Sequence, residues 1–192
     1  MILLGIILLA VIVAILVKGS DTIFESPKER AGRRGEEAAS NIIKRVLRST
    51  DLLFNNVEIS YDGRPAELDS VIVNPNGVFI IEVKNYSGNI VGSEDDFEWH
   101  KYHTTGAGNT YEKIVKNPIK QVRRQIYILA KYLDYYGVHV WVDGYALLLQ
   151  NNSPVTSKFI LSSTADIDRV LHTPGRNKLS QRDIDSITKL LS

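Results

Sequence analysis

Two apolar runs, residues 67–73 (ELDSVIV) and 78–84 (VFIIEVK), flank Asn74-Pro75-Asn76-Gly77, and no other feature limits the possible folds as much. Proline presets the first corner of a tight turn and glycine relieves its exit. The two runs are therefore expected to form a β-hairpin. Apolar residues occupy adjacent positions in both, without the strict alternation of a sheet that has one wet face. The hairpin then belongs to a sheet covered on both sides.

The remaining periodicities supply the cover. In residues 35–48, Ala39, Ile42, Ile43, Val46 and Leu47 follow helical spacing. Glu36 points along that buried stripe, whereas Glu37 aligns with Asn41, Lys44 and Arg48 on the solvated side. A strand is expected over 52–60. A long helix follows over 118–136, with Asn117 as N-cap, Pro118 at the first helical position and Gly137 at its end. Strands over 138–150 and 158–161 come next, then short helices over 165–171 and 181–191, the last with a capping-box start at Ser180 and Asp183. Residues 88–110, with Trp99 and Gly106-Ala107-Gly108, read as irregular. The order α-β-β-β-α-β-β-α, with a hairpin followed by a helical crossover, predicts an α/β domain with a mixed central β-sheet flanked by helices.

Residues 2–17 carry no charge. As a helix they would reach roughly 25 Å, slightly short of a bilayer core, a mismatch that membranes tolerate. No basic region precedes the run and no small-x-small cleavage site follows it, which favours an N-terminal transmembrane helix over a cleaved signal peptide. Lys18, Lys28, Arg30, Arg33 and Arg34 follow the run, so a single-pass membrane protein is expected, with its C-terminal domain facing the cytoplasm. This divides the chain into an anchor over 1–17, a juxtamembrane linker over 18–31 and one domain over 32–192. The net charge of +1 in 192 residues leaves no global basic field for nucleic acid, so any such affinity rests on local clusters. The absence of cysteine excludes disulfides, thiolate metal sites and a thiol nucleophile.

The chemistry concentrates on the second strand of the hairpin. Strand alternation sends Glu82 and Lys84 to one side of an otherwise apolar strand, a costly place for two charges unless something compensates them. Asp69 interrupts the neighbouring strand in the same way. Two carboxylates and a lysine suit a hard divalent cation, Mg2+ or Mn2+, acting on a phosphodiester. A two-residue loop at Pro75-Asn76 would place Asp69 directly opposite Glu82. A three-residue loop would move the partner to Ser70, and the apolar pattern does not choose between them.

The motifs Gly32-Arg-Arg-Gly35-Glu36, Glu67-Leu68-Asp69, Gly77-Val-Phe-Ile-Ile-Glu82-Val-Lys84-Asn85 with Gly88, Trp99, and Asn117-Pro118-Ile-Lys-Gln121 together resemble the nuclease-related domain, or NERD, family. That family is similar to the restriction-endonuclease-like PD-(D/E)XK superfamily, and the resemblance covers about residues 32–150. It implies a restriction-endonuclease-like mixed sheet and a metal-dependent nuclease that hydrolyses DNA. Asp69 and Glu82 would be metal ligands, with Val83 among the metal-site residues and Lys84 the catalytic lysine. Glu36 matches an additional acidic residue of the metal site, and Gln121 a glutamine lining it.

Plainer readings stand beside these. Glu82 and Lys84 alone also fit a structural ion pair, Glu36 a helix-dipole placement and Asn117 simple capping. Lys120, Arg123 and Arg124 could contact phosphates or form a solvated face. Tyr127, Tyr132, Tyr135 and Tyr136 read as packing, and the His100-x-x-His103 pair as a weak zinc signal lacking further ligands. The competing function is a non-catalytic, membrane-tethered nucleic-acid-binding or scaffold module of the same fold.

Overall fold

The computed structural model describes residues 27–174 and 178–192. Within them lie helices α1 (Pro27–Lys44), α2 (Pro118–Tyr135), α3 (Thr164–His172) and α4 (Gln181–Leu191). The strands are β1 (Leu52–Tyr61), β2 (Arg64–Asn74), β3 (Gly77–Lys84), β4 (Asn89–Val91), β5 (Glu98–Thr104), β6 (Thr110–Lys116), β7 (Val142–Leu148) and β8 (Ile160–Leu161). Gly35–Ser192 is a compact unit in itself. Among the described residues no helix is long and apolar enough to cross a membrane, and the uncharged run 2–17 lies outside them.

The central sheet has the order β1-β2-β3-β7-β8. β1, β2 and β3 are antiparallel neighbours, whereas β3–β7 and β7–β8 are parallel. The mixed sheet expected from the sequence is thus present, flanked by helices. The hairpin turn is the two-residue form, because Asn74 pairs with Gly77. Asn74 Oδ1 accepts the Asn76 N–H at 2.8 Å, while the amides of Asn74 and Asn76 both donate to Leu171 O, tying the turn to the end of α3.

Each face of the sheet has its own core. Val71, Val73, Val78 and Ile80 pack with Ile128, Leu129 and Leu133 of α2 and with Ile184, Ile187 and Leu191 of α4. Ile72, Phe79, Ile81 and Leu147 pack with Ala39 and Ile43 of α1 and with Ile167 and Leu171 of α3. Fully burying one such aliphatic side chain is worth roughly 1.5–3 kcal/mol, so these two layers hold the sheet in place. α2 approaches β7 at Gly144, where a Cβ would fall 2.8 Å from both Val122 and Ile126.

Three sequence expectations change. α1 is already helical at Pro27 and stops at Lys44, so residues 27–31, read as linker, are helical and residues 45–48 are not. The strand expected over 138–150 shortens to Val142–Leu148, and that over 158–161 to Ile160–Leu161. Residues 88–110 are not irregular. They supply β4, β5 and the start of β6, an antiparallel sheet of order β4-β5-β6. Its apolar content is small, because only its root packs on the body, through Ile90 and Trp99 with Ile119 and Leu148. A largely solvated hairpin has little hydrophobic period to reveal it.

Candidate active site

The alternation of β2 breaks at Asp69. Leu68, Val71 and Val73 all pack in the α2 core, although Leu68 and Val71 are three positions apart and a regular strand would turn them to opposite faces. β1 slips in the same place, since Phe54 and Val57 share that core. Asn55↔Ser70 and Val57↔Leu68 pair in one register, and the ladder omits only Asn56↔Asp69 between them. Asn56 takes the slip in a left-handed conformation, φ 53, which asparagine adopts more readily than most residues.

This break frees the Asp69 side chain from the ladder. On the other side, β2 and β3 pair only as far as Ser70↔Ile81. Asp69 Oδ2 accepts the Val83 N–H at 2.7 Å, so the carboxylate stands where the ladder would otherwise continue. Continuing the register of β2–β3 sets Asp69 opposite Glu82, as the two-residue loop requires.

Glu82 is buried on the α2 side, with only 1% of its side chain exposed. Its Oε1 accepts from Lys84 Nζ in an ion pair and from Gln121 Nε2 at 2.5 Å. Its Oε2 accepts from Gln125 Nε2 at 2.5 Å. A buried carboxylate needs such donors to remain charged. Burial works against the charged form of Lys84. The Glu82 carboxylate outweighs it by charge and hydrogen bond, Tyr86 and Asp69 add to it, and the lysine pKa ends above its ordinary value. Tyr86 stands in the same field. Burial raises its pKa, Lys84 opposes that shift and Glu82 adds to it. Asp69 and Lys84 are half-buried, so the site opens to solvent in front of a fully buried Glu82.

The structure thus brings Asp69, Glu82, Val83, Lys84 and Gln121 together. Glu36 lies on α1, but its side chain is outside the described residues. The helix next to it passes the end of β3, since a Cβ on Gly35 would fall 3.4 Å from Asn85 Cβ. The basic residues of α2 are engaged elsewhere. Arg123 pairs with Glu94 and stands over the Phe159 ring, Lys120 lies 3.7 Å from Asp95, and Arg124 donates to Pro65 O at 2.9 Å. His100 and His103, an odd number of strand positions apart, face opposite ways. His100 pairs with Glu112. Trp99 is fully buried and donates to Ser93 O at 2.8 Å. Tyr132 packs edge-on against Tyr136 with centroids 5.0 Å apart.

Gln125 and Tyr86 were not singled out from the sequence. Gln125 had a signal, since it follows Gln121 by four residues and shares its helical face. Tyr86 had none, because it lies beyond the strand in a loop.

Among the described residues no group of three His, Cys, Asp or Glu side chains could hold a metal ion. The site offers the carboxylates of Asp69 and Glu82, and the Oε1 of Gln125 beside Glu82 is buried without a hydrogen-bond partner. Mg2+ is often bound by one or two carboxylates with waters completing its shell, so this donor set fits that ion. A cleft of about 550 Å3 is lined by Trp141, Tyr145, Phe159 and the candidate phosphate contact Arg123, but by none of Asp69, Glu82, Val83, Lys84 and Gln121.

A mixed sheet with two carboxylates and a lysine at one strand end defines a nuclease-like α/β domain. Residues 31–149 match the model of the nuclease-related domain, and the chain belongs to that NERD family. It is 24% identical over 90 residues to an uncharacterized protein of Bacillus anthracis, an overlap covering 46% of this chain and 42% of that protein. The chain therefore spans less than half the length of the curated relative it matches. No solved structure matches it.

Proposed function

We propose that this protein is a divalent-metal-dependent nuclease that hydrolyses DNA phosphodiester bonds. The observation that carries this reading is the Asp69 carboxylate on the Val83 N–H, which draws Asp69 to the strand position between Glu82 and Lys84. Asp69 and Glu82, with Glu36 as a further acid, are the residues to hold Mg2+ or Mn2+. The ion would make a bound water more acidic and withdraw charge from the scissile phosphate.

The chain's own groups have distinct parts. Gln121 and Gln125 hold the two oxygens of Glu82, fixing the carboxylate that would help hold the ion. Lys84 keeps its proton in the field of Glu82 and Asp69, so it offers a cation to charge developing on the phosphate. Lys84 and Asp69 reach solvent while Glu82 is buried behind them, so substrate approaches from their side.

The decisive experiment is nicking of supercoiled plasmid by the full-length chain with Mg2+ or Mn2+, beside Asp69→Ala and Lys84→Ala. Wild type should nick, chelator should stop it and both variants should be inactive. Equal nicking by the variants sinks the assignment. Metal binding by calorimetry without turnover on DNA or RNA would make the protein a binding module instead.

The same proposal holds the domain to the cytoplasmic side of a membrane through residues 2–17. The support is their lack of charge and the basic residues after them. Carbonate extraction that releases the chain from membranes would refute it.

A further inference from the structure

We propose that the inner face of the β4–β5–β6 arm, bearing Lys101, His103, Tyr111 and Lys113, takes the sugar-phosphate backbone of the DNA. This rests on the nuclease reading above and names the surface that would present substrate to that site.

Register sorts the arm's side chains into two faces. On β5, Trp99, Lys101 and His103 alternate to the inner side, opposite Val115, Lys113 and Tyr111 of β6. Glu98, His100 and Tyr102 take the outer side, opposite Lys116, Ile114 and Glu112. Charge follows the same division. The outer face carries both acids, and Glu112 takes His100 and the Tyr102 hydroxyl. The inner side of this hairpin carries no acid.

Lys101 and Lys113 are directly opposite each other. Like charges at such a pair of positions destabilise a sheet. Neither lysine forms an ion pair among the described residues, although carboxylates stand on the other face of the same hairpin. Within the fold this placement gains nothing; an external polyanion would neutralise it. Lys113 and His103 are exposed, and Tyr111 is 60% exposed beside them, an aromatic surface for a sugar or an unstacked base.

The face is also connected to the chemistry. Its root, Trp99 and Ile90, is buried against Leu148 of β7, and Leu148 is the parallel partner of Lys84. From that level the same face runs outward along β5, reaching Lys101 after about 7 Å and His103 after about 13 Å. The basic residues of α2 do not compete for this role. Glu94 and Asp95, in the loop before β5, already pair with Arg123 and Lys120.

The test measures binding of the full-length chain to a short fluorescent DNA duplex, in EDTA to prevent hydrolysis, as a function of salt. Lys101→Gln with Lys113→Gln should weaken binding about tenfold or more near physiological salt and lower the log–log salt slope by about two, since each phosphate contact contributes about 0.9. Lys116→Gln, on the outer face, should stay within about twofold of wild type. The double variant should melt at the same or a slightly higher temperature, because a repulsive pair has been removed. Wild-type affinity and slope in the double variant overturn the proposal, and if plasmid is still nicked the nuclease reading stands without it. Lysine-dependent binding by a protein that never nicks supports the surface and overturns the nuclease reading. A wild-type chain that does not bind the duplex overturns the surface, and nicking with Mg2+ then decides the nuclease reading by itself.

Discussion

Gln125 donates its side-chain amide to Glu82 Oε2 at 2.5 Å while its own Oε1 is buried without a partner. The same amide reaches Glu67 O at 3.0 Å, so one side chain fastens the acid of β3 to the stretch of β2 that leads into Asp69. Gln125→Leu removes a donor to a buried carboxylate, a loss of about 1–3 kcal/mol, partly offset because the orphaned oxygen goes with it. Gln125→Glu should be worse at neutral pH, since it sets a second buried carboxylate beside the first. Urea unfolding should rank wild type above Leu and Leu above Glu. Plasmid nicking should fall at least about tenfold in both, as expected when a reacting group loses its positioning. A Glu variant as stable as wild type would show that Glu82 is not held in this way.

His172 is buried between two acids, with Nε2 at 2.8 Å from Asp51 and Nδ1 at 2.7 Å from Asp168. Asp51 is itself buried, and its Oδ1 has no partner. This contact joins the C-terminal turn of α3 to the start of β1. His172→Phe keeps the ring volume but removes a hydrogen-bond partner from the buried Asp51 carboxylate, which should cost about 1–3 kcal/mol. Denaturant unfolding with the midpoint and slope both fitted would measure it. A shift under about 1 kcal/mol would be what an exposed pair gives, and would place the contact in that class.

Acid should act on α4 through its N-terminus. Ser180 and Asp183 form a reciprocal capping box, with Asp183 Oδ2 accepting the Ser180 N–H at 3.0 Å and its hydroxyl at 2.7 Å. The Ser180 hydroxyl, then its N–H, hold the Asp183 pKa below its ordinary value of 3.8. A lowered folded-state pKa means the stabilisation is complete above the unfolded value and disappears as pH falls through the folded one. Ser180→Ala should therefore cost about 1 kcal/mol at neutral pH. Its deficit should shrink once Asp183 is protonated in both proteins. Paired melts at neutral and strongly acid pH would show the gap closing, and a constant gap would contradict the linkage.

What could be read in advance follows from range. The Asn74–Gly77 turn, the apolar runs beside it and the cap at Asn117 are local, and each appears where its residues placed it. The convergence of Asp69 on β3 was legible only as one of two registers, because both hairpin faces are apolar and patterning could not choose. The paired slip at Asn56 and Asp69 left no trace, since it is a relation between two strands. The fate of Lys120, Arg123 and Arg124 was hidden for the same reason. Glu94 and Asp95 reach them from a loop more than twenty residues earlier in the chain. The arm was missed because it has so little to bury.

That loop depends on Asn117. Its Oδ1 accepts the Ile119 N–H at 2.9 Å as an N-cap, and its Nδ2 lies within hydrogen-bonding distance of three carbonyls, Ser93 at 3.2 Å, Glu94 at 3.1 Å and Asp96 at 2.8 Å. The residue is 1% exposed. Capping alone would make Asn117→Asp harmless, because aspartate caps as well as asparagine. Here the aspartate would turn a second carboxylate oxygen toward carbonyls that need a donor, leaving buried acceptors unpaired at about 1–3 kcal/mol each. Asn117→Asp should therefore destabilise as much as Asn117→Ala or more, by at least about 2 kcal/mol. Once the loop is loosened, Glu94 and Asp95 would lose their hold on Arg123 and Lys120, so hydrogen exchange should rise across residues 93–97. A neutral Asn117→Asp, with exchange unchanged in that loop, would reduce the residue to a cap.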